Sequence, residues 1–468
     1  MAGIGFELKK MMDEDTFSSN FKAYLVAGII SAGPWAISIF CLGLLWMFSI
    51  PHLGLASQKL FRTTVIYTYA YSLITTGAIQ LVVTRFLADR LFLRQKNIFL
   101  PTYAGLMLFT IVFQGATALI FYSFSDIDVN YKIIGVILYI AVSCIWQTMI
   151  FLSAARDFWG IVSAFFWGSF TSFVMAIFLG KHFGFNGHLL GFTIGQSLIV
   201  ILLMYRIFCE FDSPLICNFQ FLREVPRYFS LLLLGIFYYL AIWIDKIIYW
   251  YSASGEHIGP LFYSHYPYDS CMFLAFLTII PALAHFMIDM ETSFYDKYKG
   301  FYGAIVNKGS LLEIRKKKAE ITKVIRESAA RLLVLQTLIT GVFVFFAPSF
   351  IEAIGLREEH IPVLRAAGIG AFFHVFLLVT LIIILYFDRK RAAVFVGLSF
   401  LVTNALFTLG IIKYAPEYMG WGYASAAFFS FLLAFILSLW NTTNIERLTF
   451  VEQPIETPKL PREASESE

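Results

Sequence analysis

An aspartate and a lysine stand side by side in an otherwise apolar stretch, YYLAIWIDKIIYW, at residues 238–250. Charged side chains inside membrane helices are costly and usually face a cavity, a partner or an ion path. Neighbouring side chains point about 100° apart on a helix, so Asp245 and Lys246 need not pair with each other. Lys246 shares a face with two tryptophans and is predicted to reach the outer headgroups. Asp245 shares a face with Tyr238 and Tyr249, which indicates a substrate path; the alternative is a salt bridge to a neighbouring helix.

Other side chains with spacings suited to substrate contact fall in three further stretches. Tyr67 and Tyr71 lie one turn apart and either stack on sugar rings or form the aromatic belt at the outer surface. His285 and Asp289 lie one turn apart near the inner end of a helix, where they bind substrate, relay protons or cap that helix. His374 either takes part in the path or bonds to a neighbouring helix.

Catalytic and energy-coupling motifs are absent from the sequence. It contains no GxxxxGK[ST] phosphate-binding loop, no HExxH zinc motif and no GxSxG nucleophile motif. The eight histidines are scattered, and the five cysteines show no CxxC spacing. We therefore predict no catalytic residue, no metal and no cofactor. Nucleic acid is not expected as a partner, because topology explains the basic residues.

The elements that must position these residues are membrane helices. Hydrophobic residues make up 59% of the 468-residue chain and charged residues only 14%, whereas soluble domains carry about 25% charged residues. A transmembrane helix needs about 20 mostly apolar residues. The stretches that qualify are 24–50, 64–84, 101–124, 132–155, 159–180, 188–208, 228–251, 269–289, 330–350, 364–387, 392–412 and 422–440. The sequence thus predicts an all-α polytopic membrane protein with about 12 transmembrane helices.

The positive charges predict how the chain is oriented. If the N-terminus is cytoplasmic, 27 of the 35 lysines and arginines fall in inner segments and 7 in outer segments. Inner loops of membrane proteins are enriched in these residues. Both termini are therefore predicted to be cytoplasmic.

The predicted helices form two sets of six with similar plans. A tight inner turn joins helices 4 and 5 in the first set, and another joins helices 10 and 11 in the second. Two such lobes around a central cavity are typical of secondary transporters. The predicted parts are an N-terminal segment (1–23), an N-lobe (24–208), a cytoplasmic linker (209–227), a C-lobe (228–440) with a basic cytoplasmic loop (290–329), and a flexible tail (441–468).

Two further features bear on movement and assembly. Gly33 and Pro34 lie inside the first predicted helix, where proline kinks the backbone and forms either a hinge or a static kink. The basic loop carries four consecutive cations, which attract anionic lipid, dock a partner or determine topology. These cations are Arg315, Lys316, Lys317 and Lys318.

The stretches MAGIGFELKKMM (1–12), AYLVAGIISAGPWAISI (23–39) and RDFWGIVSAFFWGS (156–169) resemble the PelG family of inner-membrane exopolysaccharide exporters. The resemblance covers essentially the whole chain. That family belongs to the multidrug/oligosaccharidyl-lipid/polysaccharide exporter (MOP) superfamily, whose members have two six-helix lobes around a central cavity. The resemblance implies export of a growing polymer rich in N-acetylhexosamine for the biofilm matrix.

The same resemblance implies partners besides the polysaccharide and the lipid bilayer. They are a cytoplasmic glycosyltransferase (PelF-like), a membrane cyclic di-GMP receptor (PelD-like) and a repeat-containing membrane subunit (PelE-like). Because the chain has no ATPase motif, polymer elongation, an ion gradient or both would drive transport. Two alternatives stay open: a lipid-linked oligosaccharide flippase or cation-coupled antiporter of the same architecture, and a non-transporting scaffold of the synthase complex.

Overall fold

The computed structural model describes most of the chain as membrane-length helices. The described residues are 28, 37–38, 40–45, 47–48, 54–124, 126–155, 158–214, 216–289 and 293–451. The predicted N-terminal segment, the hinge at Gly33 and Pro34, and most of the first predicted helix lie outside these residues, as do residues 452–468.

The helices and strands within the described residues are the following: α1 (Leu55–Phe92), α2 (Phe99–Ser123), α3 (Val129–Ala155), α4 (Phe158–Glu210), α5 (Gln220–Arg223), α6 (Phe229–Trp250), β1 (Glu256–Gly259), β2 (Phe262–Ser264), α7 (Tyr266–Leu277), α8 (Ile280–Asp289), α9 (Tyr295–Val306), α10 (Leu311–Phe345), α11 (Ala347–Ala353), α12 (Ile361–Tyr386), α13 (Lys390–Tyr414), α14 (Trp421–Thr443) and α15 (Ile445–Phe450). Short 3₁₀ turns cover Lys96–Ile98, Glu358–His360 and Pro416–Tyr418.

Ten helical segments in the described ranges are long and apolar enough to cross a membrane. One of them, Trp159–Glu210, has 52 residues, more than twice the roughly 20 that a crossing needs. Its backbone leaves helical geometry at Gly184, where φ is 59° and ψ is −138°. Glycine adopts positive φ readily because it has no Cβ. The two spans predicted at 159–180 and 188–208 therefore meet at this break, and the predicted all-α polytopic fold is confirmed.

The eighth predicted span, 269–289, is not one continuous helix. It is divided into α7 and α8, with Thr278 and Ile279 between them. Pro281 is the second residue of α8, a position where its missing backbone N–H interrupts no intrahelical hydrogen bond. The proline thus begins the second helix.

The helices pack into two groups that meet along α1 and α6. In the first half of the chain, α3 packs against α1, α2 and α4. In the second half, α14 packs against α12 and α13, and α13 packs against α6. Helices α1 and α6 pack against each other and join the two halves. We call this contact the α1–α6 seam.

The two ends of the seam carry different structures. At one end β1 and β2 form an antiparallel hairpin, and we call this end of the seam the hairpin end. The charge distribution predicts that the hairpin end is periplasmic. At the other end lie α5, α9 and α15, and we call it the linker end. Helix α10 has 35 residues, or ~52 Å at about 1.5 Å per residue, so it is longer than the roughly 30 Å hydrocarbon core.

The predicted basic loop 290–329 is mostly helical in its described part. The side chain of Ser310 accepts a hydrogen bond from the backbone N–H of Glu313 and caps α10. Ile314 and Ile321 of α10 are buried in the same apolar cluster as Phe301 of α9. The region predicted as a flexible tail also begins with structure, because α14 continues to Thr443 and α15 follows it.

Candidate functional site

Asp245 and Lys246 form a buried ion pair in the middle of the second group of helices. The Lys246 ammonium lies 3.1 and 3.2 Å from the two carboxylate oxygens of Asp245, and it donates to the carbonyl of Ile242 at 3.0 Å. Asp245 is fully buried and only 5% of Lys246 is exposed. The prediction that Lys246 reaches the outer headgroups is therefore wrong. Its long stem bends back over its own helix, so the angle between neighbouring positions does not keep the two charges apart.

Two other helices complete the shell of Asp245. The hydroxyl of Tyr268 in α7 donates to Oδ2 at 2.7 Å, and the side-chain amide of Asn404 in α13 donates to Oδ1 at 3.3 Å. The Asn404 amide also donates to the carbonyl of Ala241 at 2.8 Å. Tyr249, predicted on the same face as Asp245, packs its ring against Tyr268 with centroids 4.2 Å apart. Asp245 thus joins α6, α7 and α13.

A second polar group lies beside this pair. His374 is bonded on both ring nitrogens, with Nε2 3.0 Å from the Tyr238 hydroxyl and Nδ1 2.9 Å from the Tyr423 hydroxyl. It connects α12 to α6 and α14, which agrees with the interpretation of His374 as a bond between helices. The ring of Tyr423 also faces Lys246, with the ammonium 5.4 Å from its centroid. The two groups therefore form one buried polar cluster.

Tyr67 lies in an aromatic contact between the two halves at the hairpin end. Its ring stacks on Trp250 of α6 with centroids 4.7 Å apart and is itself only 3% exposed. Its hydroxyl donates to the carbonyl of Tyr263 at 3.0 Å and accepts the N–H of the same residue at 3.1 Å. Tyr71, predicted with Tyr67 as a wall for sugar rings, lies 5.5 Å away by ring centroids and is half-buried.

Phe262 of β2 inserts into the first half of the chain. Its side chain is fully buried, and its ring centroid lies 5.2 Å from Tyr67, 5.9 Å from Phe121 and 6.5 Å from Tyr122. Sequence reasoning missed this residue, because a three-residue strand gives no detectable alternating pattern. The hairpin is the element of the second half that closes this end of the seam.

Charged groups surround the aromatic contact. Lys59 of α1 pairs with Glu256 of β1 at 2.5 Å. The guanidinium of Arg62 lies 4.1 Å from the ring centroid of Tyr266 and donates to Ser270 at 3.0 Å. These contacts also connect α1 with the segment from β1 to α7.

The middle of the seam allows very close backbone approach. A Cβ on Gly235 would lie 2.1 Å from the carbonyl oxygen of Gly77, and a Cβ on Gly77 would lie 2.1 Å from the ring of Tyr239. Small residues permit membrane helices to approach in this way. A Cβ at Gly235 would therefore push the two backbones apart, whereas a Cβ at Gly77 would displace the ring of Tyr239.

The linker end of the seam is polar. The Tyr228 hydroxyl donates to Asp89 at the end of α1, and Arg85 lies 3.6 Å from Asp388 in the turn between α12 and α13. His285 lies 3.4 Å from Asp289. Arg331 of α10 pairs with Asp289 at 2.9 Å, so this predicted site holds α8 against α10.

The four predicted docking cations divide into two kinds. Lys317 lies 3.3 Å from Glu320, which also pairs with Lys297 of α9 at 3.1 Å. Lys318 lies 3.6 Å from Glu446 of α15 and donates to the Thr443 carbonyl at 2.7 Å. Lys318 therefore holds α10 against α14 and α15, whereas Lys317 pairs within α10 with the glutamate that contacts α9. The other two are exposed at the surface: Arg315 and Lys316.

Buried polar groups of the first half are mostly uncharged. Thr75 donates to Gln114 at 2.9 Å and lies 3.1 Å from the Tyr139 hydroxyl. The indole of Trp146 donates to Ser72 at 3.1 Å. Within the described ranges, no group of three or more His, Cys, Asp or Glu is arranged to hold a metal ion.

Comparisons with known proteins show the fold and the family. A crystal structure of a MATE transporter in its straight conformation is 14% identical, has a TM-score of 0.62, and is matched over 90% of this chain and 96% of that one. An outward-facing multidrug resistance MATE transporter of the MOP superfamily is 14% identical with a TM-score of 0.61, over 90% and 96%. An inward-facing one is 13% identical with a TM-score of 0.55, over 91% and 95%. The curated proteins include no significant match.

At these identities the solved structures show a shared transporter fold. The family model of the PelG exopolysaccharide exporters (EPS-E) matches residues 1–450. The three quoted stretches that resemble this family all lie inside the matched range. The chain is thus a multi-pass membrane transporter and not an enzyme, and it belongs to the PelG family of exopolysaccharide exporters.

Proposed function

We propose that this chain moves a nascent, N-acetylhexosamine-rich exopolysaccharide across the bacterial inner membrane into the periplasm, as one subunit of a synthase-dependent secretion complex. The family match over residues 1–450 carries this proposal. The MATE-type fold supports it, because two helical halves around a substrate path can pass a large solute. The exported polymer would enter the biofilm matrix.

The buried polar groups along α1 suit a substrate rich in hydroxyl groups. Tyr71 and Thr75 lie one turn apart, and Thr75 connects to the amide of Gln114 and the hydroxyl of Tyr139. Aromatic faces stack on sugar rings while neutral donors and acceptors bond to hydroxyls. Tyr71 is half-buried, so we propose it as the substrate-facing tyrosine and Tyr67 as part of the contact with the hairpin.

Export can be tested by deletion and complementation in a producing cell. Deletion should abolish extracellular polymer, and the wild-type chain should restore it. Normal secretion after deletion would refute the proposal. Purified chain that passes no oligosaccharide in liposomes yet binds the glycosyltransferase would indicate a scaffold. A strict need for a lipid-linked substrate would indicate a flippase, and sodium- or proton-dependent drug efflux would indicate an antiporter.

We also propose that the exposed cations of α10 dock the cytoplasmic glycosyltransferase. Arg315 is 64% exposed at the side chain, although it lies 3.9 Å from Glu446, and Leu312 beside it is 82% exposed. Together with the exposed Lys316 they form a basic and apolar surface at the linker end. A polymer can pass directly from synthase to transporter only if the two are in contact.

A charge reversal tests this surface. Arg315→Glu combined with Lys316→Glu should reduce co-purification of the glycosyltransferase, whereas Arg357→Glu, 85% exposed and close to the 3₁₀ turn Glu358–His360, should not. Equal recovery with all variants would exclude this surface. The cyclic di-GMP receptor and the repeat-containing subunit are proposed partners on the strength of the family alone.

A further inference from the structure

The ammonium of Lys246 stands in surroundings that would suit a free cation. Three oxygens lie within 3.2 Å of it: both carboxylate oxygens of Asp245 and the carbonyl of Ile242. Carboxylate and carbonyl oxygens are the usual ligands of hard cations. The oxygens around the Lys246 nitrogen therefore resemble, in type and arrangement, the ligands of a bound metal ion.

Aromatic rings face the same nitrogen. The ring centroids of Phe276, Tyr423 and Trp243 lie 5.3, 5.4 and 5.8 Å from it. A cation within about 6 Å of an aromatic face is attracted to it. These rings belong to α7, α14 and α6, so three helices contribute to the surroundings of a single positive charge.

The negative charge of the Asp245 carboxylate is compensated by the Lys246 ammonium. Asp245 is fully buried, and the two other side chains that donate to it among the described residues, Tyr268 and Asn404, are neutral. The other acidic side chain nearby, Asp269, accepts from the indole of Trp250 at 3.0 Å. Removing one partner of a buried ion pair leaves an uncompensated charge, which is strongly destabilising.

We propose that this cluster is a monovalent-cation site that the chain fills with its own lysine. The tethered ammonium takes the place of a sodium ion or a proton, so folding and closure of the second half need neither. The inference goes beyond export itself. It removes ion binding at Asp245 from the ways in which transport could be driven, and it favours elongation of the polymer as the source of energy.

The groups that face the pair come from each helix packed around it within the described residues. Helix α7 contributes Tyr268 and Asp269, α12 contributes His374, α13 contributes Asn404, and α14 contributes Tyr423. His374 is bonded on both ring nitrogens to tyrosine hydroxyls. Lys246 is the cation in direct contact with Asp245 among these groups.

Thermal unfolding of the purified full chain tests the proposal. Wild type should melt at the same temperature in sodium chloride and in choline chloride at equal ionic strength. Lys246→Met should melt lower in choline and regain stability with sodium or at acidic pH. Above the dissociation constant, each tenfold rise in sodium should add a constant ~1.4 kcal/mol. Asp245→Asn combined with Lys246→Met should lose this response.

A matched control is Lys413→Met at the end of α13, whose ammonium lies over the ring of Tyr414. It should remain indifferent to sodium. A Lys246→Met protein no more sensitive to sodium or pH than wild type would overturn the proposal. If that variant does not fold, calorimetric titration of wild type and Asp245→Asn with sodium decides. If sodium binds to wild type and Asp245→Asn abolishes this binding, the site is not filled by Lys246 and the proposal is refuted. If wild type binds no sodium, the proposal is supported. Neither result depends on whether the chain exports polymer.

Discussion

The insertion of Phe262 into the first half of the chain gives a prediction about how the hairpin is held. The side chain is fully buried among Tyr67, Phe121 and Tyr122. Truncation of a buried phenylalanine to alanine costs about 3–5 kcal/mol. The other contacts are weaker: Lys59 and Glu256 are 34% and 48% exposed at their side chains, and exposed ion pairs contribute about 1 kcal/mol at most.

Phe262→Ala should therefore release the hairpin more than any other single truncation in it. Since each ~1.4 kcal/mol is a factor of ten, the opening equilibrium should rise by roughly a hundredfold to a few thousandfold. Backbone amide hydrogen exchange measures such local opening directly. Peptides from β1 and β2 should lose protection by this factor in the variant, while peptides from α12 should keep theirs.

The control is a phenylalanine of the same size that follows α2. Phe124 is 76% exposed, so Phe124→Ala should leave exchange in the hairpin unchanged. If Phe262→Ala leaves the protection of β1 and β2 as in wild type, the aromatic insertion does not hold the hairpin and the reasoning is refuted. If α12 loses protection equally, the variant has unfolded globally and the hairpin is not an independent unit.

Three other predictions follow from the same structure. Gly235→Ala should lower the melting temperature, because its Cβ would meet the carbonyl of Gly77 at 2.1 Å and overpacking costs about 1–3 kcal/mol. The control is Gly410→Ala, whose Cβ would meet nothing within 4 Å. Equal melting temperatures of the two variants would contradict close packing of the seam. Burial lowers the pKa of His265, whose ring caps α7, so the unfolded chain binds more protons and stability should fall as the pH drops below the usual value of about 6.5. His265→Asn keeps a capping oxygen without titrating, and its melting temperature should therefore fall less on acidification; a slope equal to wild type would exclude His265 as the cause. Asp245→Asn leaves the Lys246 ammonium buried without its counter-charge, so protein level and secretion should fall together, measured as extracellular polymer against an immunoblot; full secretion at the wild-type protein level would show that neither folding nor export needs the Asp245 carboxylate.

The positions of the helices could be predicted from the sequence because they depend on local composition. Apolar stretches of about 20 residues match the thickness of a bilayer, and helices such as α6 and α13 begin and end within a few residues of the predicted limits. The short break at Gly184 also falls between two predicted spans. The quoted N-terminal stretches predicted the family, and the family-model match over residues 1–450 confirms this prediction.

The partners of the charged residues could not be predicted in this way. Helical periodicity gives the direction of a Cα–Cβ bond, but Lys246 has a stem long enough to return to Asp245. The other donors to Asp245 come from positions 23 and 159 residues away in the sequence, Tyr268 and Asn404. Neither spacing leaves a periodic signal.

The hairpin shows the same division between local and long-range information. Its strands have four and three residues, too few for a pattern, and its stability comes from Phe262 and from the Tyr67 hydroxyl, which satisfies both backbone groups of Tyr263. The sequence alone determined that the protein is a polytopic helical transporter of a recognisable family, because the length of an apolar stretch and a local motif both depend only on consecutive residues. Which charges pair, and how the halves are closed, was decided by tertiary packing, because those contacts join helices far apart in the chain.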